Sequence, residues 1–162
     1  MFSLKTKLRA ERKGWDDIVA AIQPTDVILL DLDGVLAADA DAHVQPIPRT
    51  YVERMATVAR IFLVTNTPNR SRAQTCADEL GIPLITSSHR KPSARILEDV
   101  PHAPNTPFIV IGDKFSTDVL FAYAIGGRSF LLKERLTHKN DRWVIKLSYV
   151  LDDALSTVLG LW

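Results

Sequence analysis

The chain has 162 residues, of which 46% are hydrophobic and 24% charged, and its formal net charge at pH 7 is +1. This size and balance predict one soluble globular domain, and the small net charge gives no reason to expect nucleic-acid binding. No apolar stretch reaches the about 18 residues that a membrane span requires, and the N-terminus lacks the apolar region of a secretory signal. The single cysteine, Cys76, cannot form an internal disulfide. We therefore expect a cytoplasmic protein, or one at most peripheral to a membrane.

Apolar runs alternate with amphipathic stretches along the chain, which is the pattern of a parallel α/β sheet. Strands are predicted near residues 27–31, 60–65, 83–86, 107–112 and 128–132. Helices are predicted near residues 48–59, 69–80, 92–99, 116–125 and 141–159. The connections are short, so the pattern leaves no room for a second domain.

The most informative feature is a pair of aspartates, Asp31 and Asp33, at the end of the apolar run at residues 27–30. Four aliphatic residues in a row predict a strand that is buried on both faces. Gly34 permits a sharp turn directly after the two carboxylates. Carboxylates placed this close repel each other unless a cation joins them. The segment therefore predicts a metal site, a nucleophile or both.

Polar residues also follow the other predicted strands, at the edge where open parallel sheets bind their ligands. These residues are Thr65 and Asn66 after the second strand, Lys91 after the third, and Asp113 and Asp118 after the fourth. Asp31, Asp33 and Asp113 supply hard oxygen ligands that suit Mg²⁺. Thr65 and Lys91 can bind phosphate oxygens. The set predicts a metal–anion pocket of the phosphoryl-transfer type.

Four segments resemble, in order, the motifs of the haloacid dehalogenase (HAD) superfamily. They are residues 31–35, the strand-terminal Thr65, residues 91–92 before a predicted helix, and residues 112–118. Residues 81–83 and 90–92 are also similar to the capless subclass IIIA proteins of the YqeG type, which are related to mitochondrial phosphatidylglycerophosphate phosphatase. The resemblance implies a three-layer Rossmann-like α/β fold with a five-stranded parallel sheet and no cap domain.

The resemblance also implies how a single HAD-like domain over residues 1–162 is divided. A basic helical segment is expected at residues 1–24, the catalytic core at 25–133 and a C-terminal helix at 134–162. The loop at residues 37–47 follows the acidic pair and is expected to overhang the site. Its polar residues Asp39, Asp41 and His43 are expected to be solvated.

By resemblance, Asp31 attacks phosphorus to form an aspartyl-phosphate, and Asp33 protonates the leaving oxygen before deprotonating a water. Mg²⁺ is held by Asp31, Asp33 and Asp113, with Asp33 acting through its backbone carbonyl. Asp118 supports these ligands without binding the metal directly, or it binds the metal through a water.

The phosphate is expected to bind to Thr65, Asn66 and Lys91, and the ammonium group of Lys91 would also neutralise the nucleophile. The implied activity is Mg²⁺-dependent hydrolysis of a phosphomonoester, with phosphatidylglycerophosphate as the favoured substrate. A soluble sugar phosphate or nucleotide is an alternative substrate. Transfer of the phosphoryl group to another acceptor, and non-catalytic phosphate binding or scaffolding, are alternative functions.

The two flanks leave alternatives open. Residues 1–15 carry basic side chains with apolar ones between them, so they form a helix packed on the domain or one that rests on anionic lipid. The last predicted helix has a wide apolar face, which we expect to close the core or cover the sheet. A homodimer contact or a peripheral membrane contact is the alternative for that face.

Overall fold

The computed structural model describes residues 8–159, and its central element is an all-parallel sheet of five strands. The strands are β1 (Ala10–Lys13), β2 (Val27–Leu30), β3 (Arg60–Leu63), β4 (Phe108–Gly112) and β5 (Arg128–Leu132). Their order across the sheet is β1-β5-β4-β2-β3. The acidic pair therefore follows a strand that lies between β3 and β4.

Helices connect the strands. They are α1 (Trp15–Ala21), α2 (Pro46–Ala56), α3 (Arg70–Leu80), α4 (Leu120–Ala124) and α5 (Trp143–Val158). A 3₁₀ turn covers Ala94–Asp99, and a π-helical turn covers Phe115–Val119 just before α4. Between Asp33 and Lys91 the chain forms only α2, β3, α3 and their connections, with no inserted domain.

Two apolar layers cover the sheet because successive side chains of a strand point to opposite faces. Ile28 and Leu30 of β2 belong to the cluster that contains residues of α1, α2 and α3. Val27 and Leu29 belong to the cluster that contains residues of the 3₁₀ turn and α4. The predicted three-layer α/β fold with a five-stranded parallel sheet is confirmed.

The prediction was wrong about one of the five segments that form the strands of the sheet. Residues 83–86 make only an isolated bridge, between Leu63 and Leu84. Pro83 has no backbone N–H to donate, which limits pairing there. The sheet is completed instead by β1, which lies at the edge beside β5. This strand falls within the segment that was predicted to be helical. Its polar sequence carries no apolar run, so the hydrophobic pattern could not indicate a strand. Residues 1–7 of that segment lie outside the described residues.

The prediction that the apolar face of the last helix closes the core or covers the sheet was also wrong. α5 directs polar side chains inward, and its buried residues are Tyr149, Asp152 and Ser156. The carboxylate of Asp152 accepts hydrogen bonds from the backbone N–H groups of Phe115 at 2.7 Å and Ser116 at 2.8 Å. These bonds attach α5 to the start of the π-helical turn, and the wide apolar face of the helix is exposed.

Among residues 8–159, none of the helices combines the length and the apolar character that a membrane crossing demands.

Candidate active site

The carboxyl ends of β2, β3 and β4 meet at one edge of the sheet. The N–H of Asp31 donates to the carbonyl of Ile111 at 2.9 Å, and the N–H of Val64 donates to that of Leu30 at 2.8 Å. These bonds carry the strand pairing up to the polar residues, so their side chains surround one cavity of about 110 Å³. Its lining residues are Asp31, Asp33, Thr65, Asn66, Thr67, Pro68, Lys91, Lys114, Thr117, Arg142 and Ile145.

Lys91 joins two buried carboxylates at the base of this cavity. Its Nζ lies 2.8 Å from Asp31 Oδ1 and 2.5 Å from Asp118 Oδ1, and its side chain is 2% exposed. Burial lowers the pKa of Lys91, but Asp118 and Asp31 raise it by more, so the ammonium group stays charged. Burial raises the pKa of Asp31 to about 7 against the opposing charge of Lys91. One cation is therefore shared between two carboxylates.

Asp113 is buried beside this cluster with its charge poorly compensated. Neither of its carboxylate oxygens has a hydrogen-bond partner among the described residues. The Nε of Arg135 lies 3.0 Å from Oδ2, but its N–H is not aligned for a hydrogen bond, so the contact is one of charge alone. Burial, Asp118 and Asp31 together raise the pKa of Asp113 well above its ordinary value. A carboxylate in this position needs a further cation to stay ionised.

The acidic cluster fits a hard divalent cation. One carboxylate oxygen from each of Asp31, Asp113 and Asp118 lies within 4.8 Å of the others. Oxygen donors and the two unpartnered oxygens of Asp113 suit Mg²⁺. The Oδ1 of Asp118 is already engaged by Lys91, and its Oδ2 accepts from the N–H groups of Asp113 at 3.2 Å and Lys114 at 3.1 Å. Asp31 and Asp113 are therefore the side chains best placed to ligate.

Two glycines allow the carboxylates to approach the backbone this closely. Gly34 has a φ of +78°, and a Cβ there would lie 2.1 Å from Asp113 Oδ2. A Cβ on Gly112 would lie 2.2 Å from Asp118 Cγ. Both distances are far below van der Waals contact, so any larger residue would displace the acidic side chains.

Arg72 holds the second aspartate, a contact that the sequence did not indicate. Its Nη1 donates to Asp33 Oδ1 at 2.6 Å, while Nε and Nη2 donate to the carbonyls of Asp41 at 2.5 Å and Ala38 at 2.8 Å. The guanidinium group thus ties Asp33 to the loop that follows β2. Arg72 lies in the first turn of α3, where the side chain of Asn69 accepts its backbone N–H, and nothing in this local pattern marks it as a site residue.

Thr65 and Asn66 differ in what they offer to a ligand. The hydroxyl oxygen of Thr65 accepts from the N–H of Thr67 at 3.1 Å, and no described residue accepts its own O–H. The amide of Asn66 instead makes two bonds with the backbone of Lys91, at 3.0 Å to its carbonyl and 2.9 Å from its N–H. Thr65 is free to donate to a phosphate, whereas Asn66 positions Lys91.

A family model described as mitochondrial PGP phosphatase, where PGP is phosphatidylglycerophosphate, matches residues 18–137. The chain belongs to this PGP phosphatase family. The match confirms the predicted HAD resemblance and identifies the chain as a member of a phosphatase family. No curated protein matches the chain. Because the family is described as mitochondrial, the cytoplasmic location stays a prediction.

The family match contains the four motifs and Arg135, but it ends before α5. Arg135 donates from Nη2 to the carbonyl of Asp113 at 2.7 Å, and its guanidinium lies 4.1 Å from the ring centroid of Tyr149. Burial and Asp113 raise the pKa of Tyr149. An arginine beyond the last motif has no sequence signal, so this contact depends on the folded chain.

Arg142 and Ile145, which lie outside the matched range, add a wall to the cavity. Arg142 Nη2 contacts Asp39 Oδ1 at 2.6 Å, and this contact lowers the pKa of Asp39. The N–H of Ala40 donates to Asp141 at 2.9 Å. The loop at residues 37–47 is therefore tied to the start of α5.

The polar residues of that loop do not line the cavity that contains Asp31. Asp41 accepts from Gln45 at 2.8 Å and from the N–H of Ala38 at 3.2 Å, and His43 pairs with Glu79. These polar groups therefore hold the loop in place.

Cys76 is buried in α3, and burial raises the pKa of its thiol, as expected for a packing residue.

Proposed function

We propose that this member of the PGP phosphatase family is a Mg²⁺-dependent phosphomonoester phosphatase that works through an aspartyl-phosphate on Asp31. The observation that carries the proposal is the buried Lys91 between Asp31 and Asp118, next to the unpartnered oxygens of Asp113. Lys91 places one positive charge beside Asp31, and a divalent cation held at Asp113 would add the charge that a dianionic phosphate needs to approach this carboxylate.

In the first step, a carboxylate oxygen of Asp31 attacks phosphorus, and the bond from phosphorus to the leaving oxygen breaks. Asp33 gives its proton to that oxygen, and Arg72 holds the carboxylate of Asp33 at the cavity wall. Lys91 and the O–H of Thr65 bind the phosphate oxygens. The product leaves as an alcohol, and the phosphoryl group stays on Asp31.

In the second step, Asp33 takes a proton from a water, whose oxygen attacks the phosphorus of the aspartyl-phosphate. The acyl-phosphate bond breaks, Asp31 is regenerated as a carboxylate and inorganic phosphate leaves. Asp31, Asp113 and the backbone carbonyl of Asp33 would hold Mg²⁺, which supplies positive charge to the phosphate oxygens.

The favoured substrate is phosphatidylglycerophosphate. The family description supports it, and so does the absence of an inserted domain over the cavity within residues 8–159. An open cavity admits a phosphate on a bulky leaving group. A soluble sugar phosphate or nucleotide is the alternative substrate, and phosphoryl transfer to an acceptor other than water is the alternative reaction.

The test measures inorganic phosphate released from phosphatidylglycerophosphate in detergent micelles and from a panel of sugar phosphates and nucleotides. We expect Mg²⁺-dependent release that EDTA abolishes, with the lipid preferred. The Asp31→Asn variant should lose activity by on the order of 10³-fold or more, while Asp17→Asn, an exposed aspartate of α1, should keep it.

Three results would contradict parts of the proposal. Turnover of soluble substrates alone would exclude the lipid substrate. Recovery of the phosphoryl group on an added alcohol would identify a phosphotransferase. No turnover of any compound, with Asp31→Asn retaining cellular function, would leave a phosphate-binding or scaffold protein.

A further inference from the structure

The outward half of α5 is apolar along its whole length. Because an α-helix has 3.6 residues per turn, successive residues advance by about 100°, and the positions opposite Tyr149, Asp152 and Ser156 form one continuous arc. We call this arc the α5 outer face. It consists of Trp143, Val144, Leu147, Val150, Leu151, Ala154, Leu155 and Val158, all of them exposed. None of these residues is polar.

Polar contacts fix the helix in this orientation. Asp152 accepts from the N–H groups of Phe115 and Ser116, and the ring centroid of Tyr149 lies 4.1 Å from the guanidinium group of Arg135. Rolling the helix to bury its apolar residues would break both bonds of a buried carboxylate, which is costly. Contiguous exposed apolar faces are uncommon on soluble monomers and mark interaction surfaces.

The charges beside the face indicate the chemistry of that partner. Lys139 and Lys146 are exposed near the first turns of α5, where Lys146 Nζ donates to the carbonyl of Lys139 at 2.7 Å. Neither lysine has an acidic partner among the described residues. The exposed acidic residue of the helix, Asp153, is engaged by Arg135 at 3.3 Å. The edge of the face is therefore cationic at the N-terminal end of α5.

We propose that the α5 outer face docks on the surface of an anionic lipid bilayer. An apolar helix face with lysines at its edge and a tryptophan near one end is typical of helices that lie in the membrane interface. Anionic headgroups complement Lys139 and Lys146, whereas a second copy of this chain would carry the same positive rim. The face therefore matches a bilayer better than it matches itself.

The position of the cavity fits this orientation. Arg142, which precedes α5, and Ile145 of its first turn line the cavity, whereas Trp143 and Val144 between them belong to the outer face. The cavity and the outer face thus meet at the N-terminal end of α5, so a docked bilayer lies beside the cavity. This inference rests on the proposed function in one respect: a lipid phosphate could enter the cavity while its acyl chains stay in the membrane.

The experiment is flotation of the full chain with vesicles of phosphatidylcholine and phosphatidylglycerol in equal parts, and with phosphatidylcholine alone. The test variant, Val150→Asp/Leu151→Asp, changes side chains that are 64% and 61% exposed. The matched control, Ile47→Asp/Tyr123→Asp, changes apolar residues that are 68% and 60% exposed elsewhere. We expect wild type and control to float with the anionic vesicles, and the test variant to lose at least about tenfold in bound fraction.

A second variant, Lys139→Gln/Lys146→Gln, keeps the proposal testable even if the aspartates unfold α5, which circular dichroism would reveal. It should bind anionic vesicles more weakly, and its binding should then resemble that of wild type on phosphatidylcholine alone. Equal flotation of this variant and wild type on anionic vesicles would overturn the cationic recognition. A wild-type chain that does not float would overturn the docking itself.

Light scattering in the absence of lipid separates docking from self-association. A wild-type dimer that Val150→Asp/Leu151→Asp converts to a monomer, together with no flotation, would assign the face to a second copy. Hydrolysis of p-nitrophenyl phosphate separates docking from catalysis, since wild type and test variant should hydrolyse it equally. Flotation without any phosphatase activity would refute the proposed function alone, and activity without flotation would refute the docking alone.

Discussion

The ammonium group of Lys91 lies 2.8 Å from the carboxylate of Asp31, and both side chains are nearly closed to solvent. The same ammonium group contacts Asp118, so a single positive charge compensates two buried negative ones. Lys91 is thus a structural counter-ion as well as a group that can bind phosphate, and the two roles can be separated by experiment.

Replacing Lys91 by Met should destabilise the protein and abolish phosphatase activity. Removing one partner of a buried ion pair leaves an uncompensated charge and typically costs about 3–5 kcal/mol. Denaturant unfolding would measure the loss. The double variant Lys91→Met/Asp118→Asn should recover part of the stability, because one of the stranded carboxylates is gone, but none of the activity. An unchanged unfolding midpoint for Lys91→Met would contradict the counter-ion role.

Replacing Arg72 by Lys should lower kcat with little effect on KM. A lysine keeps the charge but cannot bind Asp33 and the carbonyls of Ala38 and Asp41 together, so Asp33 loses its fixed position. Misplacement of a proton-transfer group by about 1 Å can cost on the order of 100-fold. Arg70→Lys, in the same turn of α3, is the matched control. Equal kcat values for the two variants would show that Arg72 does not position Asp33.

Replacing Asn66 by Ala should lower both stability and activity, because its amide holds the backbone of Lys91 through two hydrogen bonds. Leaving those backbone groups unpaired costs roughly 1–3 kcal/mol each if they stay buried. The measurements are the unfolding midpoint and inhibition by inorganic phosphate. Both a positioning role and the direct phosphate contact that the sequence predicted would weaken phosphate inhibition, but a direct contact alone would leave the unfolding midpoint unchanged.

Mg²⁺ should stabilise the protein more strongly at high pH than at low pH. Burial raises the pKa of Asp31 from 3.8 to about 7, against the opposing charge of Lys91. Without metal, the folded protein keeps a proton on Asp31 that the unfolded chain has released, so the free energy of unfolding falls as pH rises from about 4 to about 7. Asp113 shifts in the same direction. Mg²⁺ needs the ionised carboxylates, so its binding becomes favourable over the same interval.

Thermal unfolding with Mg²⁺ or EDTA, at about pH 5 and about pH 8, measures this linkage. The increase in Tm caused by Mg²⁺ should be small at the lower pH and large at the higher one. Asp113→Asn should remove it, because that residue supplies the unpartnered oxygens. An equal increase at both pH values would place the metal away from these carboxylates.

The parts of the molecule that the sequence predicted share a physical origin. The apolar run of β2 followed by Asp31 and Asp33 is a local pattern, and the polar residues after β3 and β4 follow the same rule. Parallel strands bring their carboxyl ends to one edge, so local patterns suffice to predict that Thr65 and Asp113 meet Asp31. Lys91 was predicted for the same reason, although the strand assigned before it makes only a single bridge.

The sequence by itself determined the layered α/β fold, the acidic strand end and the candidate metal–anion pocket, because apolar periodicity and strand-end chemistry are local. Only the tertiary structure decided that β1 completes the sheet, since a polar edge strand is held by backbone hydrogen bonds that leave no hydrophobic pattern. It likewise decided that Arg72 and Arg135 reach the aspartates, because a long side chain's partner depends on three-dimensional approach. Finally, only the tertiary structure showed that the apolar face of α5 is exposed. An amphipathic sequence pattern defines an apolar face but does not say which surface, if any, covers it.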